Sequence, residues 1–233
     1  LSNLDAILAA AKNQAANLPA VPAAAAAGVP AIGPNGAVPS TGYNMSMDAF
    51  LNPGGMECES YVQVKEGGIK LSKDWVGFID EFDAILNLSE VQFFIGIRKE
   101  VGSQVTYAKS YDGQTTSRGE NFAAVVEEFK RTSQKPADTY RGADIPLTLL
   151  AGIADPKGKG PALEADAIVG LTTSITGFKP FAAFAKKLQQ AGLGNTPVKV
   201  RVKHAARKNA QNQAYGVCEF DVLEVIGADA AAA

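Results

Sequence analysis

Two cysteines and one histidine in 233 residues leave little from which to build nucleophile or metal chemistry. Cys58 and Cys218 lie far apart, one near an apparent linker and one in a β-rich run, so they form neither a disulfide framework nor a metal knuckle and are expected as buried free thiols. His204 has no carboxylate near it in sequence, which leaves a hydrolase triad without its orienting acid. It is expected as a further member of a positive patch or as an edge residue. There is no P-loop and no dinucleotide fingerprint after a strand; "GPNG", "GKG" and "GLG" read as turn glycines. Acid pairs such as Glu127 and Glu128 read as solvated helix faces, and nothing specific supports a metal nuclease using Asp144, Asp166 and Lys179. The expectation is a non-enzymatic chain with no cofactor, no metal and no small-molecule substrate.

Long apolar runs are also missing. No segment approaches the roughly 20 apolar residues of a spanning helix, so no membrane association is expected. The Ala-rich start is interrupted by Asn3, Asp5, Lys12, Asn13 and Asn17, unlike a secretory leader. A first residue of Leu1 implies processing or trimming. The expected compartment is the cytoplasm, that of the host if the gene is carried by a phage.

What is present divides the chain. Residues 1–18 place Leu4, Ile7, Leu8, Ala11, Ala15 and Leu18 at helical spacing, an amphipathic helix. Residues 19–60 are rich in Pro, Ala and Gly and read as an extended arm or linker. A β-rich globular domain is expected over 61–228, followed by a short Ala tail, 229–233. Within the domain "VQFFIGIRK", "ADIPLTLLA", "DAIVGLTTSI", "PVKVRVKHA" and "AYGVCEFDVLEVI" read as strands, and Asp112-Gly113 in "SYDGQT" suits a tight hairpin turn. "DWVGFIDEFDAIL" fits helix or strand. "ENFAAVVEEFKRT" reads as a helix, and in "KPFAAFAKKLQQAG" Pro180 opens a helix that Gly192 closes. The fold class is mainly β with inserted helices, an α+β arrangement built on a small antiparallel barrel.

Charge is unevenly spread. No Asp or Glu falls between Asp166 and Glu219, while Lys179, Lys186, Lys187, Lys199, Arg201, Lys203, Arg207 and Lys208 all do. Strand alternation sends Val198, Val200 and Val202 to one face and Lys199, Arg201 and Lys203 to the other, a positive stripe of the kind that follows a phosphate backbone. The next segment, "ARKNAQNQAYG", reads as a loop that adds Arg207, Lys208 and Tyr215. A solvated outer face is the plainer explanation of such a strand. In "VTYAKSYDGQTTSRGENF" Tyr107, Lys109 and Tyr111, with Arg118 close behind, form a candidate stacking platform for unpaired bases, and Trp75 could join it.

The stretches "FFIGIRKEVGSQVTYAKSYDGQTT", "YRGADIPLTL", "GLTTSITGFKPF" and "VKVRVKHAARKNAQNQAYGVCEFDV" resemble the single-stranded DNA-binding proteins of the oligonucleotide-binding (OB-fold) barrel class that some bacteriophages and mobile elements carry. The resemblance implies a barrel whose open face and loops hold unpaired DNA by basic and aromatic contacts, without catalysis. Two functions fit. One is sequence-tolerant binding of single-stranded nucleic acid, DNA in the first instance. The other is a structural subunit of a phage virion or filament, a homo-oligomer whose N-terminal arm docks on its neighbours.

Overall fold

The computed structural model describes residues 56–209 and 211–226, so the expected amphipathic helix 1–18, nearly all of the arm 19–60 and the Ala tail lie outside the described residues. Among the described residues there are ten strands and two α-helices. In chain order the strands are β1 (Ser60–Tyr61), β2 (Gln63–Lys65), β3 (Gly68–Lys70), β4 (Glu81–Leu86), β5 (Gln92–Val101), β6 (Gln104–Ser110), β7 (Thr139–Leu149), β8 (Ile168–Thr172), β9 (Val198–Lys208) and β10 (Ala214–Val225). Helix α1 (Phe122–Thr132) follows β6 and helix α2 (Ile175–Gln190) follows β8.

The mainly β expectation stands; the closed barrel does not. Eight strands form one mixed sheet in the order β1-β8-β7-β4-β9-β10, with β5 and β6 branching from β7, while β2 and β3 form a separate ribbon. Strand β1 runs parallel to β8 and the other pairs are antiparallel. The branch explains why the sheet stays open. One edge of β7 carries β8 along Asp144–Thr148, and the other edge is shared by β5 (Thr139–Asp144) and β4 (Thr148–Leu149). A 3-10 turn, Leu88–Glu90, capped by Asn87, lets the chain pass from β4 to β5 along that shared edge. Strand β9 then pairs with β4, and β6 with β5.

Alternation sorts the two faces. Leu86, Ala84 and Phe82 of β4, Leu149, Leu147, Ile145 and Ala143 of β7, and Val198, Val200 and Val202 of β9 are buried in one core. Helix α2 covers that face, with Phe184 stacked on Phe220 and Phe181 meeting it edge-on. Helix α1 covers the same face farther along, burying Phe122, Val125 and Phe129 around Ile97 of β5. Trp75 is fully buried, its indole donating to the Pro161 carbonyl at 2.7 Å, so it is a core residue and not a platform for bases.

Several local expectations are corrected. "DWVGFIDEFDAIL", whose spacing fits helix or strand, resolves as a strand in its second half, β4. Helix α2 begins before Pro180, because Ser174 caps it by accepting from the Gly177 amide at 3.0 Å. Its end is as expected: the Gly192 amide donates to Gln189 and the Leu193 amide to Leu188, with Gly192 at φ +78 in the left-handed region that glycine favours. The β5–β6 hairpin turns at Gly102-Ser103, since Val101 faces Gln104, and not at Asp112-Gly113. "ARKNAQNQAYG" is not a loop throughout, because β9 runs to Lys208 and β10 resumes at Ala214. Neither helix among the described residues is long and apolar enough to cross a membrane.

Candidate functional site

The basic strand is where the sequence reading needs most revision. Each of its outward bases meets a carboxylate from a neighbouring strand. Lys199 pairs with Glu224 at 2.7 Å, Lys203 with Asp221 at 2.9 Å, and Arg207 with Glu219. Arg201 grips Asp83 with two parallel hydrogen bonds of 2.7 and 2.8 Å and lies 3.4 Å from Glu81. The Arg201 guanidinium holds the Asp83 carboxyl below its usual range. The acids come from β4 and β10, which flank β9 in space, so the acid-free interval in the sequence produces a cross-strand ion-pair ladder and not an unpaired positive stripe. His204 lies on the opposite pleat face from Lys203, against the Lys65 carbonyl at 2.8 Å, and so is not part of that row. Tyr215 is half-buried opposite Arg207, and Lys208 is exposed at the end of β9.

The other predicted residues gather where β5, β6, β7 and β8 meet. Tracing register from β9 through β4 and β7 to β5 and β6 puts Tyr107, Lys109, Arg98, Phe94, Tyr140 and Asp144 on the same pleat face as Arg201. Neither helix packs across that face, and only the first turn of α2 reaches its edge. Here the face bears a cavity of about 700 Å³ lined by Phe94, Arg98, Tyr107, Lys109, Arg118 and Tyr140, with Thr172 to Thr176 along one side. Its size falls within the roughly 300–1,000 Å³ of small-molecule sites.

Two glycines shape the floor. A Cβ on Gly142 would lie 2.2 Å from the Phe94 ring, and one on Gly96 2.6 Å from the Tyr140 ring, so both rings can lie close against the sheet only because those positions are glycine. The Phe94 ring then meets Tyr140 and Tyr111 edge-on, each with centroids 6.2 Å away. Burial pushes the Tyr140 phenol above its usual range.

Asp144 fastens this corner together. Its carboxylate is 1% exposed and accepts from Lys109 Nζ and the Tyr111 hydroxyl at 2.6 Å each on one oxygen, and from the Thr172 hydroxyl at 2.6 Å on the other. Burial, and then the hydrogen bond to Asp144, drives the Tyr111 phenol far above its usual range. Lys109 and Tyr111 are therefore structural struts whose polar ends are occupied. This arrangement also separates Asp144 from Asp166: three donors engage Asp144 at the β8 end marked by Thr172, whereas Asp166 precedes the other end of β8.

Tyr107 and Arg118 are the site residues left reaching into the cavity. Tyr107 is 55% exposed, and among the described residues Arg118 forms no ion pair. The segment after β6 holds Arg118 in place. The Asp112 carboxylate accepts from the amides of Gln114 and Thr115 and from the Ser110 hydroxyl, all at 2.8 Å, and those bonds lower its pKa to about 2. The Ser117 amide then donates to the Lys109 carbonyl at 2.9 Å, which runs the segment beside the β6 edge. "SYDGQTTSRGEN" is thus an ordered loop that carries Arg118 to the cavity rim.

Arg98 and Tyr140 were not singled out from the sequence. Arg98 sits directly across from Tyr107, contacts the Glu100 carboxylate, and has a buried Nε with no hydrogen-bond partner among the described residues. The available signal was the pair of glycines inside "FFIGIRK" and "YRGADIP", since glycine within a strand marks a close approach. Comparisons of this chain with protein-family models, with curated proteins and with solved structures find no match.

Proposed function

We propose that the protein binds single-stranded nucleic acid without reading its sequence, through the cavity face built by β5, β6, β7 and the start of α2. One observation carries this reading: exposed Tyr107, half-buried Tyr140 and the cations Arg98 and Arg118 converge on one cavity of about 700 Å³. Aromatic faces accept any base, at roughly 1–3 kcal/mol per stacked base, and guanidinium groups pair with the phosphates that join the bases. Exposed Thr172, Ser174 and Thr176 add hydroxyl groups to the wall, with the Thr172 proton already given to Asp144 and Ser174 already accepting from the Gly177 amide. The first turn of α2 adds backbone amides that precede the helix's own acceptors, which favours an anion nearby. Lys199, Arg201, Lys203 and Arg207 belong to this reading only as a flank, because their charges are already matched.

The test is fluorescence anisotropy with a labelled thymidine oligonucleotide across a salt series. The expected result is binding that weakens steeply with salt, with Arg118→Ala reducing the slope of log K against log salt by about one. Replacing Lys199, Arg201 and Lys203 together with alanine should leave the affinity within a few-fold. Absence of binding at low salt would sink the proposal; loss of binding in the triple variant would return the site to β9.

A structural subunit of a virion or filament is the second reading, and a specific feature favours it. On the helix-covered face, between α1 and α2, Phe93 is 47% and Ile95 39% exposed, an apolar gap that an assembly contact would cover. Removal of residues 1–44 separates the two. Under this reading the oligomer dissociates in analytical ultracentrifugation, whereas under the first the oligonucleotide affinity survives.

A further inference from the structure

Resting on the nucleic-acid reading, we propose that the cavity is a one-nucleotide subsite that accepts a single nucleoside monophosphate unit, the base on Tyr107 and Tyr140 and the phosphate on Arg98 and Arg118. The arrangement of groups across the strands carries the assignment. Tyr107 of β6 faces Arg98 of β5, and Tyr140 of β7 faces Gly96, two residues along β5 on the same pleat face. Rings and a guanidinium therefore alternate across adjacent strands, with the missing side chain at Gly96 making the room in which the Tyr140 ring sits. A base against the rings has its own phosphate within reach of Arg98 without spanning to a second site.

Arg98 supplies the independent sign of a missing anion. Its Nε is buried and lacks a hydrogen-bond partner among the described residues, although Glu100 already contacts the outer part of the same guanidinium. A buried donor of a charged group is costly to leave unmade; the Arg98 side chain as a whole is 42% exposed, so a rotation of the guanidinium would present its donors to a phosphate oxygen in the cavity. Charge limits the ligand to one phosphate group. Glu100 offsets part of Arg98 and Asp144 occupies Lys109, so Arg118 and the remainder of Arg98 match a monoester or diester better than a triphosphate.

The experiment uses the full chain at low salt in isothermal titration calorimetry, with thymidine 5′-monophosphate, thymidine and inorganic phosphate as separate ligands, and the thymidine oligonucleotide as the positive arm. The monophosphate is expected to saturate one site per chain, to bind at least about tenfold more tightly than either half alone because the second contact becomes intramolecular, and to displace the oligonucleotide. Tyr107→Ala and Arg118→Ala alter exposed residues and should each weaken the monophosphate at least about fivefold. If the oligonucleotide binds while the monophosphate does not saturate, or if inorganic phosphate binds as tightly as the monophosphate, the subsite is wrong and the nucleic-acid reading stands. If Tyr107→Ala leaves monophosphate binding unchanged, the base placement is wrong. If neither the oligonucleotide nor the monophosphate binds, both proposals fall.

Discussion

Lys199 and Lys109 stand on the same face of one sheet, each 2.7 or 2.6 Å from a carboxylate, yet the two ion pairs do different things. Glu224, the partner of Lys199, has a side chain 51% exposed and lies in a row of similar pairs along β4, β9 and β10. Asp144, the partner of Lys109, is 1% exposed and ties together β6, the loop after it and β8. Exposed pairs gain little because water competes for both charges and salt screens them. A buried carboxylate depends on every donor it has. The ladder therefore neutralises one end of the face, while at the other end a single acid organises a cavity and leaves Tyr107, Arg98 and Arg118 for a ligand.

The largest expected effect follows from Asp144. Asp144→Ala removes the shared acceptor of the partly exposed Lys109 ammonium, the half-buried Tyr111 hydroxyl and the exposed Thr172 hydroxyl, and should cost about 3 kcal/mol of stability in urea unfolding. A loss below about 1 kcal/mol would place Asp144 in the same class as Glu224 and erase the contrast between the two ends. Asp144→Asn keeps an acceptor for one donor, and should recover part of the stability.

A smaller effect tests how the cavity floor is made. Gly142→Ala puts a methyl group into the space of the Phe94 ring, and this overpacking should cost about 1–3 kcal/mol. Phe94→Leu in the same chain should return part of that cost, giving a coupling in a double-mutant cycle. Independent, additive effects would mean that the floor is not ring-on-glycine packing.

The two ends also differ in how far the sequence revealed them. The valine alternation of β9, the apolar stripe of α1 and the Schellman end at Gly192 are local patterns, and each appears where its pattern indicates. Partners across strands are not local. Nothing between Asp166 and Glu219 discloses that Asp83 from β4 will face Arg201, because that pairing depends on strand order. The same limit hid Asp144, which reads as one acid in an apolar strand until Lys109, Tyr111 and Thr172 converge on it. The Asp112-Gly113 pair illustrates competition between local motifs: the dipeptide suits a hairpin, but Gly102-Ser103 takes that role, and the Asp112 carboxylate binds the backbone ahead of it instead.

The ladder supplies the smallest effect and a pH test of its character. Lys199→Ala removes one exposed pair and should cost less than about 1 kcal/mol. Asp83→Asn probes the best-formed rung. The folded protein holds the Asp83 carboxyl below its ordinary value, whereas in the unfolded chain it titrates near about 3.9. The ionised form is thus favoured by folding. The stability it contributes is fully present above the unfolded value and declines as pH falls through the lower folded one. The difference in urea midpoint between the parent chain and Asp83→Asn should be constant from about pH 5 to 8 and should shrink below about pH 4. A difference that persists undiminished in acid would show that Asp83 acts through packing and not through its charge. The ladder would then no longer account for the loss of positive potential along β9, and the basic strand would again compete with the cavity as the place where a polyanion binds.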